Sequence, residues 1–154
     1  MRIRPAVVDD ISAIAALYRI LFAEMAALQP NIWRPSEMSR SFLLEFIEGE
    51  RSSILLAEED GEIAGFAVAQ DRDTPPFNCV IQNRYCYLMD MAVAPARRGR
   101  GLGRALLGAA ESWARGRGLK WLELNVLEEN KAAYKLYEQA GLAPAQHLMR
   151  KMLP

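Results

Sequence analysis

One stretch limits what this chain can fold into more than any other. Residues 85–93 are apolar on both faces except at Asp90. They lead into Arg97-Arg98-Gly99-Arg100-Gly101-Leu102-Gly103-Arg104. Beyond that turn, Leu102, Ala105, Leu106, Ala109, Ala110 and Trp113 recur at helical spacing. A strand with two apolar faces must be covered on both, so it belongs inside a sheet. The helix after it has one apolar stripe to lay against that sheet. This strand, turn and helix form the centre around which the other elements must be arranged.

Residues 2–8 read as a short first strand. Ile11, Ile14, Ala15, Tyr18, Leu21, Phe22 and Met25 give one stripe on a helix over about 10–27, with Asp9 or Asp10 as its cap. Pro30 and Pro35 break it. Ser36 is expected to cap a second helix with Met38, Phe42, Leu43, Phe46 and Ile47 on one face and Gly49 beyond its end. Runs 53–58 and 62–70 flank Asp60-Gly61, a strong hairpin signal, and 71–76 reads as a loop. Residues 119–126 read as a fifth strand. Asn130 caps a last helix that runs to Ala140, Gly141 stops it, and 147–153 reads as a final strand. The order β-α-α-β-β-β-α-β-α-β, without repeats or a long linker, predicts an α/β (α+β) fold in a single domain over 1–154.

Hydrophobic residues make up 51% of the 154 positions and charged residues 25%, enough apolar surface for a core without disulfides or metals. Lys plus Arg and Asp plus Glu both number 19, and zero net charge removes the electrostatic argument for bulk nucleic-acid binding. Cys79 and Cys86 fit neither a disulfide framework nor a metal-ligand spacing, and read as reduced, partly buried thiols. The single histidine, His147, makes a metal site improbable and reads as a strand surface residue. Trp33 and Trp113 read as packing, with the acceptor side as the alternative place for Trp33. No apolar run approaches the roughly 18 residues of a bilayer span, and Met1 to Pro5 has no signal-peptide character. A cytoplasmic protein with no membrane or nucleic-acid partner is expected.

The turn has a particular chemistry. A helix start offers free backbone N–H groups and the positive end of the macrodipole. Glycines let the backbone approach an anion, and four arginines in eight residues add charge. Together they suit a phosphate or pyrophosphate. A Walker loop needs Lys-Ser or Lys-Thr, which is absent. A dinucleotide fingerprint fails because Arg104 or Leu106 stands where its third glycine belongs.

The pattern Arg98-x-x-Gly101-x-Gly103 resembles the coenzyme A signature of the GCN5-related N-acetyltransferase (GNAT) family. Residues 87–93 are similar to that family's fourth strand, 119–126 to its fifth, and 130–142 to its last helix and stop. The resemblance implies a mixed, mostly antiparallel sheet splayed between strands four and five and flanked by helices. It implies acetyl-CoA as acyl donor, with no metal. The backbone of Met91 and Val93 would pair with the pantetheine arm. An N–H near Ala92 or Val93 would polarise the thioester carbonyl. Amides of Arg98, Gly99, Arg100, Gly101, Leu102, Gly103 and Arg104 would hold the pyrophosphate, with Asn130 beside the pantetheine or nucleotide portion.

Tyr137 matches the family tyrosine that faces the coenzyme sulfur and protonates the departing thiolate. Tyr134 shares its helix face and reads as core packing. Holding a lysine-like amine neutral at pH 7 costs about 4.6 kcal/mol, which a base or a desolvating pocket supplies in part. Asp90 is the candidate base, being the one acid in an apolar strand. The competing reading turns it away to pair with an arginine such as Arg84. Glu24 is a weaker candidate. The acceptor is expected to be a primary amine of a small molecule or a protein. Asp71, Asp73, Glu24 and Glu37 hint at a cationic one, although scattered acids usually only solvate a surface. A coenzyme-binding module without catalysis, and transfer of a longer acyl group, are the alternatives. The resemblance allows a homodimer without requiring one.

Overall fold

A computed structural model describes all of residues 1–154. Five strands form one sheet in the order β1-β2-β3-β4-β5: β1 Arg2–Pro5, β2 Ser52–Glu59, β3 Glu62–Asp73, β4 Arg84–Val93 and β5 Leu122–Glu123. The first four pair antiparallel, and β4 pairs with β5 in parallel. Helices α1 (Ile11–Leu28) and α2 (Arg40–Glu48) cover one face, and α3 (Leu102–Gly116) and α4 (Lys131–Gln139) the other.

The strands carry this two-sided packing in their alternation. Ile54, Leu56, Phe66 and Val68 are buried toward α1 and α2 with Ile14, Tyr18 and Leu43. Leu55, Ala57 and Ala67 are buried toward α3 with Leu102, Leu106, Leu107 and Ala110. Between β2 and β3, Asp60 (φ 54°) and Gly61 (φ 79°) both take the positive φ of a two-residue hairpin turn, as their sequence predicts.

Several boundaries differ from the sequence reading. The first strand ends at Pro5, and a short 3-10 turn, Val8–Asp10, precedes α1. Asp10 makes no side-chain cap to α1. Its carboxylate accepts the Val7 N–H at 2.8 Å and a two-pronged ion pair from Arg4, which ties β1 to the helix start. Ser39, not Ser36, caps α2, its hydroxyl accepting the Phe42 N–H at 3.2 Å. The residues before it are held outside the helix, where Glu37 pairs with Arg19 of α1. Residues 71–73 extend β3 instead of forming a loop, because they find partners in Cys86, Tyr85 and Arg84.

β5 has two paired residues where eight were expected, and 147–153 is not a strand. With its turn, α1 spans Val8–Leu28 at mean hydropathy 1.7, long and apolar enough by composition to cross a bilayer, contrary to the sequence reading. Its stripe instead packs on the sheet, with Ile14 and Tyr18 wholly buried.

Candidate functional site

β4 holds the site open on one side. Its first half is flanked by β5, with the Cys86 N–H donating to Trp121 O at 2.8 Å. Beyond the pairs Cys86–Leu122 and Tyr87–Glu123 the two strands have no register, so they diverge. The β3–β4 register steps from Ala69–Leu88 to Val68–Asp90, leaving Met89 as the extra residue of a β-bulge. The Ala94 N–H donates to Ala64 O at 2.8 Å, on the β3 side. By alternation, Ala92 also faces β3, while the backbone groups of Met91 and Val93 face the open edge where β5 has departed.

The bulge also sets the direction of Asp90. Regular alternation would place it on the α3 face with Leu88. With Met89 inserted, Asp90 turns to the α1 face, where the Tyr18 hydroxyl donates to its Oδ2 at 2.7 Å. Tyr18 is fully buried, its ring 4.5 Å from Phe66 and 5.3 Å from Phe22, so the donor is fixed. Burial raises the Asp90 carboxyl to about 6, and the Tyr18 hydrogen bond partly offsets that rise. Arg84 is not its partner. That arginine binds Asp71 at the far end of β4.

Next along the chain is the glycine turn. Gly99 (φ 77°) and Gly101 (φ 83°) take left-handed conformations that side chains resist, with nothing within 4 Å of where a Cβ would stand. α3 begins at Leu102 with no side-chain cap and no acid in its first turn. Its first intrahelical donor is Ala105 N, bonded to Gly101 O, so the amides of Leu102, Gly103 and Arg104 point outward unused. Gly103 serves packing, since a Cβ there would lie 3.0 Å from Leu136 Cδ2 of α4. The open space and free amides fit a phosphorylated ligand.

The arginines are less free than the sequence suggests. Arg97 grips Glu59, Asp60 and Glu62 of the β2–β3 hairpin, and Arg100 also reaches Glu59. Arg98 donates from Nε to Val93 O at 3.0 Å and from Nη2 to Glu24 at 2.7 Å. Arg104 makes no ion pair. The turn is thus braced by its own guanidinium groups, leaving backbone amides and Arg104 to meet an anion.

α4 closes the third side. Asn130 caps it, its Oδ1 accepting the Ala133 N–H at 3.2 Å. Tyr137 packs half-buried against the α3 core. Burial, with a smaller effect of the Asp90 charge, pushes its phenol up to about 12. The two groups therefore lie within electrostatic reach of each other. Tyr134 is exposed rather than core, as is Trp33, whereas Trp113 packs beneath the Arg117 guanidinium. Cys86 is buried, Cys79 exposed, and His147 exposed outside any strand.

The acids that hinted at a cationic acceptor all have arginine partners. Asp71 is bound by Arg51, Arg84 and Arg117, Asp73 by Arg51, Glu24 by Arg98 and Glu37 by Arg19. Sequence reasoning missed Tyr18 as an Asp90 partner, because its spacing marks only a core stripe. It missed the bulge because no glycine or turn residue marks it.

The sequence model of the family described as Acetyltransferase (GNAT) family matches residues 14–142. The chain is 37% identical to the uncharacterized N-acetyltransferase YhfO of Bacillus subtilis (strain 168), over 92% of this chain and 89% of that protein. It is 33% identical to the aminoglycoside N(6')-acetyltransferase type 1 of Klebsiella aerogenes, over 66% of this chain and 68% of the other. Among solved structures, a variant of the BH1408 protein of Bacillus halodurans superposes with a TM-score of 0.94 at 26% identity, over 100% of both chains.

Proposed function

Because the chain belongs to the acetyltransferase (GNAT) family, whose members are N-acetyltransferases, we propose that it moves the acetyl group of acetyl-CoA directly to a primary amine of a small molecule or a protein. The observation that carries this reading is one juxtaposition. An uncapped helix start behind two positive-φ glycines lies directly beyond a strand whose Met91 and Val93 backbone edge has no neighbour. That is a site for a long ligand with phosphate at one end and amides at the other.

Donor substrate brings a thioester carbonyl to be attacked and a thiolate to be released. In this reading the edge of Met91 and Val93 holds its amide-bearing arm. For this the Val93 carbonyl exchanges its Arg98 hydrogen bond for one to the ligand. The backbone N–H of Val93, on the open edge, polarises the thioester carbonyl, the arrangement that stabilises a developing oxyanion, whereas the Ala92 N–H faces β3. Amides from Arg98 through Gly99, Arg100, Gly101, Leu102, Gly103 and Arg104 hold the pyrophosphate, and Asn130 flanks the arm.

Asp90 accepts the proton of the incoming amine. With its carboxyl near 6, it is ionised at neutral pH yet more basic than an ordinary aspartate. Tyr137, with its phenol near 12, stays protonated and donates to the departing thiolate. A thiolate with a pKa of about 8.5 is already a tolerable leaving group, so this assistance is modest. Aminoglycoside-modifying relatives favour small polyamines as the first acceptors to try.

The test is thiol release from acetyl-CoA in the presence of small amines, aminoglycosides and lysine- or N-terminus-bearing peptides. Amine-dependent release is expected for at least one class. Coenzyme binding without release on any of them would sink the transferase reading in favour of a binding module. Tyr137→Phe is expected to lower kcat about tenfold and leave coenzyme affinity nearly unchanged.

A further inference from the structure

The sheet face that carries Asp90 extends past the helices that cover it. In the β3–β4 register Asp90 stands opposite Val68, and Tyr87 opposite Gln70. Val68 is buried in the α1 core and Gln70 lies two positions on, so Asp90 and Tyr87 share the α1 side. β5 continues this face. Trp121 stacks on Tyr85 with ring centroids 5.3 Å apart, and Asn125 Nδ2 donates to the Tyr87 hydroxyl at 2.9 Å. Glu123, paired with Tyr87, falls between Trp121 and Asn125 and faces the same way. Trp121, Glu123 and Asn125 are exposed, and Tyr85 and Tyr87 are half-buried. The patch stands where β4 and β5 begin to diverge, at the mouth of the cleft.

Glu123 is held more firmly than most surface acids. The Trp121 indole N–H donates to its Oε1 at 2.9 Å, and the stack on Tyr85 holds that indole in turn. Its second oxygen is open. No lysine or arginine pairs with it, whereas arginines take up Glu24, Glu37, Asp71 and Asp73. The same face already holds one cation on an aromatic ring. The Arg72 guanidinium lies 4.0 Å from the centroid of the Tyr87 ring and is tied to Gln70. Arg72 approaches from β3, so its charge directs a second cation to the β5 side of that ring, toward Glu123.

An amine that gives its proton to Asp90 must reach it across this face. Two β3 positions separate the partners of Asp90 and Tyr87, and one strand spacing separates Tyr87 from Glu123, which puts the two acids about 8 Å apart at the backbone. We propose that Glu123 is a specificity-determining residue and that the acceptor is a diamine: one nitrogen is acetylated beside Asp90, while an ammonium about 8 Å away is held by Glu123 and the Trp121 ring. This rests on the transfer reading and names its substrate class. The C–N bond forms as the C–S bond breaks. The reacting ammonium gives up two protons, one through Asp90 to water and one that ends on the departing thiol. The held ammonium keeps its charge throughout.

The test is a length series. Thiol release from acetyl-CoA is measured with straight-chain diamines from diaminopropane to diaminooctane and with the monoamine of each length. Diaminopentane or diaminohexane is expected to exceed its monoamine about tenfold in kcat/KM, through KM rather than kcat. Glu123→Gln is expected to bring the diamine down to the level of its monoamine. The absence of a length optimum, equal rates for diamines and monoamines, or an advantage that survives Glu123→Gln would each overturn the proposal. Release with none of these amines would count against the transfer reading, and binding then decides the subsite. Hexamethylene-bis-trimethylammonium, which cannot be acetylated, is titrated by calorimetry into protein loaded with coenzyme A. It is expected to bind about tenfold tighter than tetramethylammonium, and Glu123→Gln to erase the difference. Equal affinities for the two cations would overturn the proposal.

Discussion

At Asp90 burial and a hydrogen bond from Tyr18 act against each other. A buried carboxyl raised to about 6 favours its protonated form on folding. The stability it contributes is therefore fully present below the unfolded value of about 4 and is lost as pH rises through 6. Asp90→Asn keeps the shape and an acceptor for Tyr18, and removes the buried charge. It is expected to raise the melting temperature at pH 8, by an amount equivalent to about 2 kcal/mol, and to leave it nearly unchanged at pH 4. The same variant should depress turnover at least tenfold if the carboxylate is the base. As the base must be ionised, kcat/KM is expected to rise with pH through an inflection near 6. Tyr18→Phe removes the hydrogen bond that favours the ionised form, so that inflection should move upward. An inflection that stays in place would show that the tyrosine does not tune the carboxylate. Only half of this pair was legible in the sequence. An acid inside an apolar strand is a local anomaly, whereas its partner lies 72 positions away and looks like any other member of a core stripe.

At the level of elements, the chain is readable where the signal is local. Asp60-Gly61, the stripe of α3, and Asn130 with Gly141 around α4 each carry their own turn or cap chemistry, and each forms as expected. The sequence is silent where structure depends on a distant partner. β5 has strand composition over eight residues and pairs through two, because β4 turns away from it. Residues 71–73 look like a loop, and become strand because Arg84, Tyr85 and Cys86 come alongside. Gly65 is a further case. A Cβ there would lie 2.9 Å from Ala92 O and 3.1 Å from Leu106 Cδ1, so this glycine lets β3, β4 and α3 close on one another. Gly65→Ala is expected to cost about 1–3 kcal/mol in chemical denaturation. It should also weaken coenzyme binding, because the displaced carbonyl belongs to the strand that carries the Met91–Val93 edge. Unchanged stability and affinity would mean the backbone yields there at little cost.

Across the whole molecule, one carboxylate gathers distant pieces. Asp71 is wholly buried and bound by Arg51 ahead of β2, Arg84 at the start of β4 and Arg117 after α3. Burial alone would raise its carboxyl, but hydrogen bonds from Arg84 and Arg51 outweigh that and hold it at about 2. Its contribution is complete above the unfolded value of about 4 and disappears as pH falls from 4 toward 2. Asp71→Asn should therefore lose about 2 kcal/mol at pH 7 and show a shallower acid-unfolding curve than the parent. Equal acid midpoints for the two proteins would remove this group from the balance. The clasp also bears on time. Its three arginines stand 20, 13 and 46 positions from Asp71, and the last arrives only when α3 has docked. A clasp that waits for α3 stabilises the finished molecule more than the partly folded one, so Asp71→Asn is expected to speed unfolding more than it slows folding, as the two arms of a denaturant chevron will show. In that case Asp71 sets the lifetime of the folded molecule rather than the speed of its formation, and equal changes in both arms would refute this.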